Sequence, residues 1–193
     1  MTDAASPKPA SRLGGLAVYG ERRVFIMLLL GFSAGLPNLL IFDTLSAWLR
    51  ESGLSLEVIG FFALATLSYS LKFVWAPLID RTAIPGLTRL LGHRRAWMLV
   101  TQGVIIAGLW AISGLNPANA LVQVAVFATL VGFFGATQDI VIDAWRIEAA
   151  DDSRHGAMAA AYQMGYRVAM IVAGAVPLGL ADLFNWNPFS AVM

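Results

Sequence analysis

Five charged residues interrupt otherwise apolar stretches of this chain: Asp43, Lys72, Asp139, Asp143 and Arg167. A charge in apolar surroundings is costly unless it is paired or faces water, so these positions point to ion pairing, proton exchange or anion binding. Gly132, Gly135, Asp139, Asp143 and Arg146 follow one another at intervals of three and four, which puts them on one stripe of a helix. Small residues on that stripe let a neighbour approach closely, and its carboxylates require a cation or water. Lys72 and Asp143 lie near the ends of their stretches, where a long side chain can also snorkel to the surface. Arg167 lies about 16 Å into its stretch, near the middle of a bilayer core.

Two enzyme-like patterns fail on their surroundings. Gly31-Phe32-Ser33-Ala34-Gly35 has the spacing of a serine nucleophile elbow, but no strand precedes it and both histidines, His93 and His155, lie in polar segments far along the chain. Gly31, Gly35 and Pro37 read instead as residues that loosen a helix and admit a neighbour. Asp139 and Asp143 could suggest an aspartyl protease, yet they share one helix face and no Gly-x-Gly-Asp occurs. The absence of cysteine removes disulfides, thiolate metal sites and cysteine nucleophiles. The reading is therefore of a non-enzyme, with neither cofactor nor metal.

The elements that must position these residues follow from composition. The chain is 58% hydrophobic and 13% charged, against roughly 25% charged in soluble domains, so too few polar residues exist to cover a soluble globule. Residues 24–49, 57–77 and 157–182 each offer the ~20 apolar residues that a bilayer crossing takes. The uncharged stretch 96–138 would make a helix of about 65 Å, twice the bilayer core. It must reverse at Asn116-Pro117-Ala118-Asn119, giving helices over 96–115 and 120–145. The expectation is an all-α membrane protein with five spans. Ten of the thirteen basic residues then fall on one side, which the positive-inside rule makes cytoplasmic together with the N-terminus. Residues 1–22 read as a disordered cytoplasmic arm, and 185–193 as a loop. A net charge of +1 gives no field for nucleic acid.

The loop after the second span opens on Asp80-Arg81 and closes on Gly92-His93-Arg94-Arg95, an order that resembles the loop signature of major facilitators. Arg146 and Glu148 end the fourth span and complete a charge cluster expected at the same surface, with Asp80 and Arg94 or Arg95 close together. The segments Gly31 to Pro37, Tyr69 to Arg81, Arg94 to Trp97 with Thr101-Gln102, Ala136 to Arg146, and Gly165-Tyr166-Arg167 resemble those of AmpG-type muropeptide permeases over about residues 22–186.

That resemblance implies a major-facilitator-like N-terminal half in the bacterial inner membrane, taking up muropeptides with protons for cell-wall recycling. The expected substrate or proton pathway runs through Asp43, Lys72, Gln138, Asp139, Asp143 and Arg167, and depth counted at ~1.5 Å per residue puts Lys72, Asp139 and Arg167 together in the bundle interior. Acetyl-coenzyme A transporters look similar in the same segments, so another large anionic solute is the alternative, as is a membrane interaction protein that transports nothing. Facilitators use two six-helix halves. With the chain ending at Met193, the expectation is a fragment whose sixth helix and C-terminal half are missing.

Overall fold

The computed structural model describes residues 18–62, 67–149 and 151–184. Most of the expected arm, the expected loop 185–193 and four residues of the second expected span lie outside the described residues. Among the described residues every regular element is helical and there is no strand.

Helix α1, Arg22–Glu51, runs for 30 residues. Pro37 lies inside it, and a π turn follows at Leu40–Thr44, where the Leu45 N–H reaches back five residues to the Leu40 carbonyl. This wider turn shifts the phase of the helix. Thr44 turns inward and donates to the Ala173 carbonyl at 3.2 Å, while Asp43 is left exposed.

The second expected span, 57–77, is not one regular helix over its described part. It contains α2, Leu56–Phe62, then α3, Leu67–Leu71, a 3-10 turn at Lys72–Val74, and α4, Ala76–Arg81. Pro77 explains the break after α3: it brings no N–H to the Phe73 carbonyl, and its ring crowds that carbonyl. The turn places Lys72 at the break. A further short helix, α5, Leu87–Leu91, lies in the expected loop between Gly86 and Gly92, whose φ angles of 81° and 84° favour glycine.

The long apolar stretch reverses as its length requires. Helix α6, His93–Ser113, ends before Gly114, and α7, Pro117–Ala149, starts on a proline, a favoured first helical residue. The Asn116 side chain accepts from the Ala118 N–H at 3.0 Å, and Ala120 departs from helical geometry with φ −131° and ψ 35°. Helix α8, Asp152–Phe184, follows. Three helices among the described residues, α1, α6 and α7, are long and apolar enough to cross a membrane.

Helices α1 and α8 approach so closely that side chains are excluded. A Cβ on Gly31 would lie 2.1 Å from the Tyr162 carbonyl oxygen, one on Gly35 2.6 Å from that of Tyr166, and one on Gly165 2.0 Å from that of Leu28. Apolar burial gives helices in lipid no drive to associate, so such backbone approach is a main source of their packing energy. Two apolar clusters result. Val24, Met27, Ile142, Met158 and Ala161 pack near the starts of α1 and α8, and Leu45, Leu49, Ile112 and Val124 pack toward the other end. A layer of polar side chains lies between them.

Candidate functional site

Asp139 on α7 is the centre of that layer, with a side chain only 13% exposed. Its Oδ1 accepts a hydrogen bond from the Tyr162 hydroxyl of α8 at 2.9 Å, and its Oδ2 is 3.6 Å from Lys72 Nζ. Lys72 Nζ is also 3.9 Å from Asp143 Oδ2, and Asp143 Oδ1 is 3.1 Å from an Arg146 guanidinium nitrogen. One ammonium is thus shared between two carboxylates one helical turn apart. Both distances exceed a good N–H···O bond, so the attraction is chiefly Coulombic. Exposure rises from Asp139 to Asp143, making a graded path from buried layer to surface. Protonating Asp139 would cancel its claim on Lys72 and leave the ammonium to Asp143; that is the chemistry the arrangement permits.

The segment carrying Lys72 is docked on α7 by two aromatic side chains. A Cβ on Gly135 would lie 2.3 Å from the Tyr69 hydroxyl, so the glycine makes room for that tyrosine. Tyr69 also meets Phe42 edge-on at 5.8 Å. Trp75 donates its indole N–H to Thr137 Oγ1 at 3.2 Å and stacks on Phe133 at 4.8 Å. Gly132 is buried on the same helix.

A second polar node lies beside the first. Gln138, 1% exposed, donates from Nε2 to Ser33 Oγ at 2.9 Å, and Gln102 on α6 donates to the same oxygen at 3.4 Å. Ser33 in turn donates to the Leu30 carbonyl at 3.1 Å. The serine of the elbow-like motif is a junction for two amides, while the motif's glycines face α8.

Charged side chains tie the helix ends where α1, α6 and α8 begin and α4 and α7 finish. Arg94 bridges Asp80 at 2.5 Å and Glu148 at 2.7 Å, and Arg154 bridges Glu21 and Asp151, each at 2.9 Å. The Arg23 guanidinium donates to the Ala149 carbonyl. Arg81 and Arg95 are exposed, and among the described residues neither has an ion-pair partner.

The structure brings together Lys72, Asp139, Asp143 and Arg146, places Gln138 in the neighbouring node, and leaves Asp43 and Arg167 exposed and outside both. Arg167 does not join Lys72 and Asp139 as the sequence suggested. Tyr162 reaches Asp139 instead, and five residues along α8 correspond to about 140° of rotation. Both side chains therefore cannot meet Asp139. Tyr162, Tyr69 and Trp75 were not among the site residues expected from the sequence; their signal was a polar tip on an aromatic ring inside an apolar stretch, which needs a partner once buried.

Residues 23–123 match the family model described as acetyl-coenzyme A transporter 1. The AmpG 4 transporter of Rickettsia felis is 39% identical over 172 residues, covering 88% of this chain and 41% of that protein. The anhydromuropeptide permease of Escherichia coli K12 is 40% identical over 167 residues, covering 86% of this chain and 33% of the permease. AmpG 3 of Rickettsia prowazekii is 37% identical over 172 residues, 88% of this chain and 41% of its own length. The chain thus spans well under half the length of these relatives, which are named as transporters or permeases. Together with its long apolar helices, this similarity over most of its length makes it a multi-pass membrane protein of the AmpG-type permease family, within the major-facilitator-like transporters.

Proposed function

We propose that this chain forms the proton-handling N-terminal part of an importer of muropeptides in the bacterial inner membrane. Its five spans would be α1, the α2 to α4 region, α6, α7 and α8, with the N-terminus cytoplasmic; ten of thirteen basic residues on one side support that orientation. A second set of helices would complete the solute path, since facilitators bind substrate between two halves at the midplane. The relatives' greater length fits this arrangement.

One observation carries the reading: Lys72 is shared by the buried Asp139 and the more exposed Asp143 at 3.6 and 3.9 Å. Asp143 competes for Lys72 while also having Arg146 as a base of its own at 3.1 Å, so the buried Asp139 holds only a shared ammonium. Such a coupled group can hold or release a proton with little rearrangement. The muropeptide assignment leans on the anhydromuropeptide permease, whose similarity covers 86% of the chain, whereas the acetyl-coenzyme A transporter model covers residues 23–123. Both names denote solutes with anionic groups, carboxylates in one and phosphates in the other, so an anionic solute is common to both.

In the complete transporter, Asp139→Asn is expected to reduce proton-driven uptake of a labelled anhydromuropeptide by at least tenfold while leaving membrane insertion unchanged. Uptake near the wild-type rate would make the carboxylate structural.

A further inference from the structure

Two basic side chains, Lys72 and Arg167, interrupt apolar stretches of this chain, and they differ in what holds them. Lys72 is balanced by two carboxylates. Arg167 is exposed on α8 and has no carboxylate in ion-pair range among the described residues. A guanidinium in an apolar stretch persists when it faces an acid, a polar cavity or a solute.

The surroundings of Arg167 along α8 are asymmetric. Tyr162 and Tyr166, with rings 6.1 Å apart, form a polar edge on one side, and Tyr162 reaches Asp139. Gln163, one turn before Arg167, is also exposed. On the other side, Met164, Val168 and Ile171 make an exposed apolar arc. Arg167 stands at the border of the two, about 140° around the helix from the tyrosine that holds Asp139. It is therefore not spent on neutralising the proton site, and its planar fork of donors is shaped for a carboxylate or phosphate.

We propose that Arg167 anchors the anionic group of the transported solute, while Lys72 serves only the Asp139 and Asp143 carboxylates. The proposal rests on the transport reading above and divides its two tasks between two cations. An acid elsewhere in the complete transporter is the competing partner for Arg167, and the two make opposite forecasts. A solute anchor senses the charge of the solute; a structural pair does not.

The test uses the complete transporter in proteoliposomes with two probes: an anhydro-disaccharide tripeptide as the free acid, and the same molecule with its peptide carboxylates amidated. Arg167→Gln is expected to raise KM for the free acid by about 10- to 100-fold, the range of a lost charge-assisted contact, with kcat little changed. KM for the amidated probe should not move. Arg167→Lys keeps the charge and loses the fork, so it should give a smaller rise confined to the free acid. This milder variant decides the matter if Arg167→Gln fails to insert. Equal losses on both probes, or an unaltered KM for the free acid, would overturn the anchor and assign Arg167 to a structural pair. A wild-type transporter that moves neither probe would overturn the muropeptide reading itself, and the anchor with it.

Discussion

At the scale of single residues, spacing revealed acids and partners unevenly. Asp139 and Asp143 stood out because a carboxylate in an apolar stretch is costly and must be satisfied. Their shared cation was recognisable because Lys72 is the one cation in its own stretch. The Tyr162 hydroxyl bond to Asp139 was hidden, since tyrosine is common in apolar helices and its direction depends on the rotation of α8. Ser33 shows the opposite error of emphasis: its motif suggested chemistry, and its position made it a junction for Gln102 and Gln138. Ser33→Ala should destabilise the protein by about 1–2 kcal/mol, because the buried Gln138 amide loses its acceptor and the half-buried Gln102 amide a longer one. Reversible unfolding in mixed micelles would read this shift, and an unchanged stability would remove Ser33 from the polar layer's support.

At the scale of elements, long uncharged runs located the helices because length alone forces a reversal in 96–138. The π turn in α1 was not legible, since it depends on backbone phase rather than on residue type, and neither was the break at Lys72–Val74. Pro77 is the visible cause of the second, but a proline within an apolar run can also be accommodated as a simple kink. Glycine spacing indicated close packing without naming the partner; the structure supplies it as α8 for Gly31 and Gly35, and Tyr69 for Gly135. Gly165→Val should therefore force α1 and α8 apart, at a cost of at least about 1–3 kcal/mol from overpacking. Gly103→Ala on α6, where a Cβ meets nothing within 4 Å, should be tolerated. Thermal unfolding in detergent separates the two, and equal effects would contradict the crossing.

At the scale of the whole molecule, the chain is a set of helices whose two apolar clusters enclose a polar layer, with ion pairs tying the helix ends on one side. Arg94 holds Asp80 and Glu148 from two other helices, although such partly exposed pairs contribute little stability each. Their geometry matters more for fixing where helices end than for energy. The central claim is that the Asp139, Lys72 and Asp143 group couples solute movement to protons. Solute exchange at equal pH needs the path but no net proton movement, whereas accumulation against a gradient needs both. The decisive measurement compares the two in proteoliposomes holding the complete transporter with Asp139→Asn. Accumulation driven by a proton gradient should be abolished while exchange of labelled for unlabelled anhydromuropeptide continues at a comparable rate. Gradient-driven accumulation that survives the substitution would contradict the account.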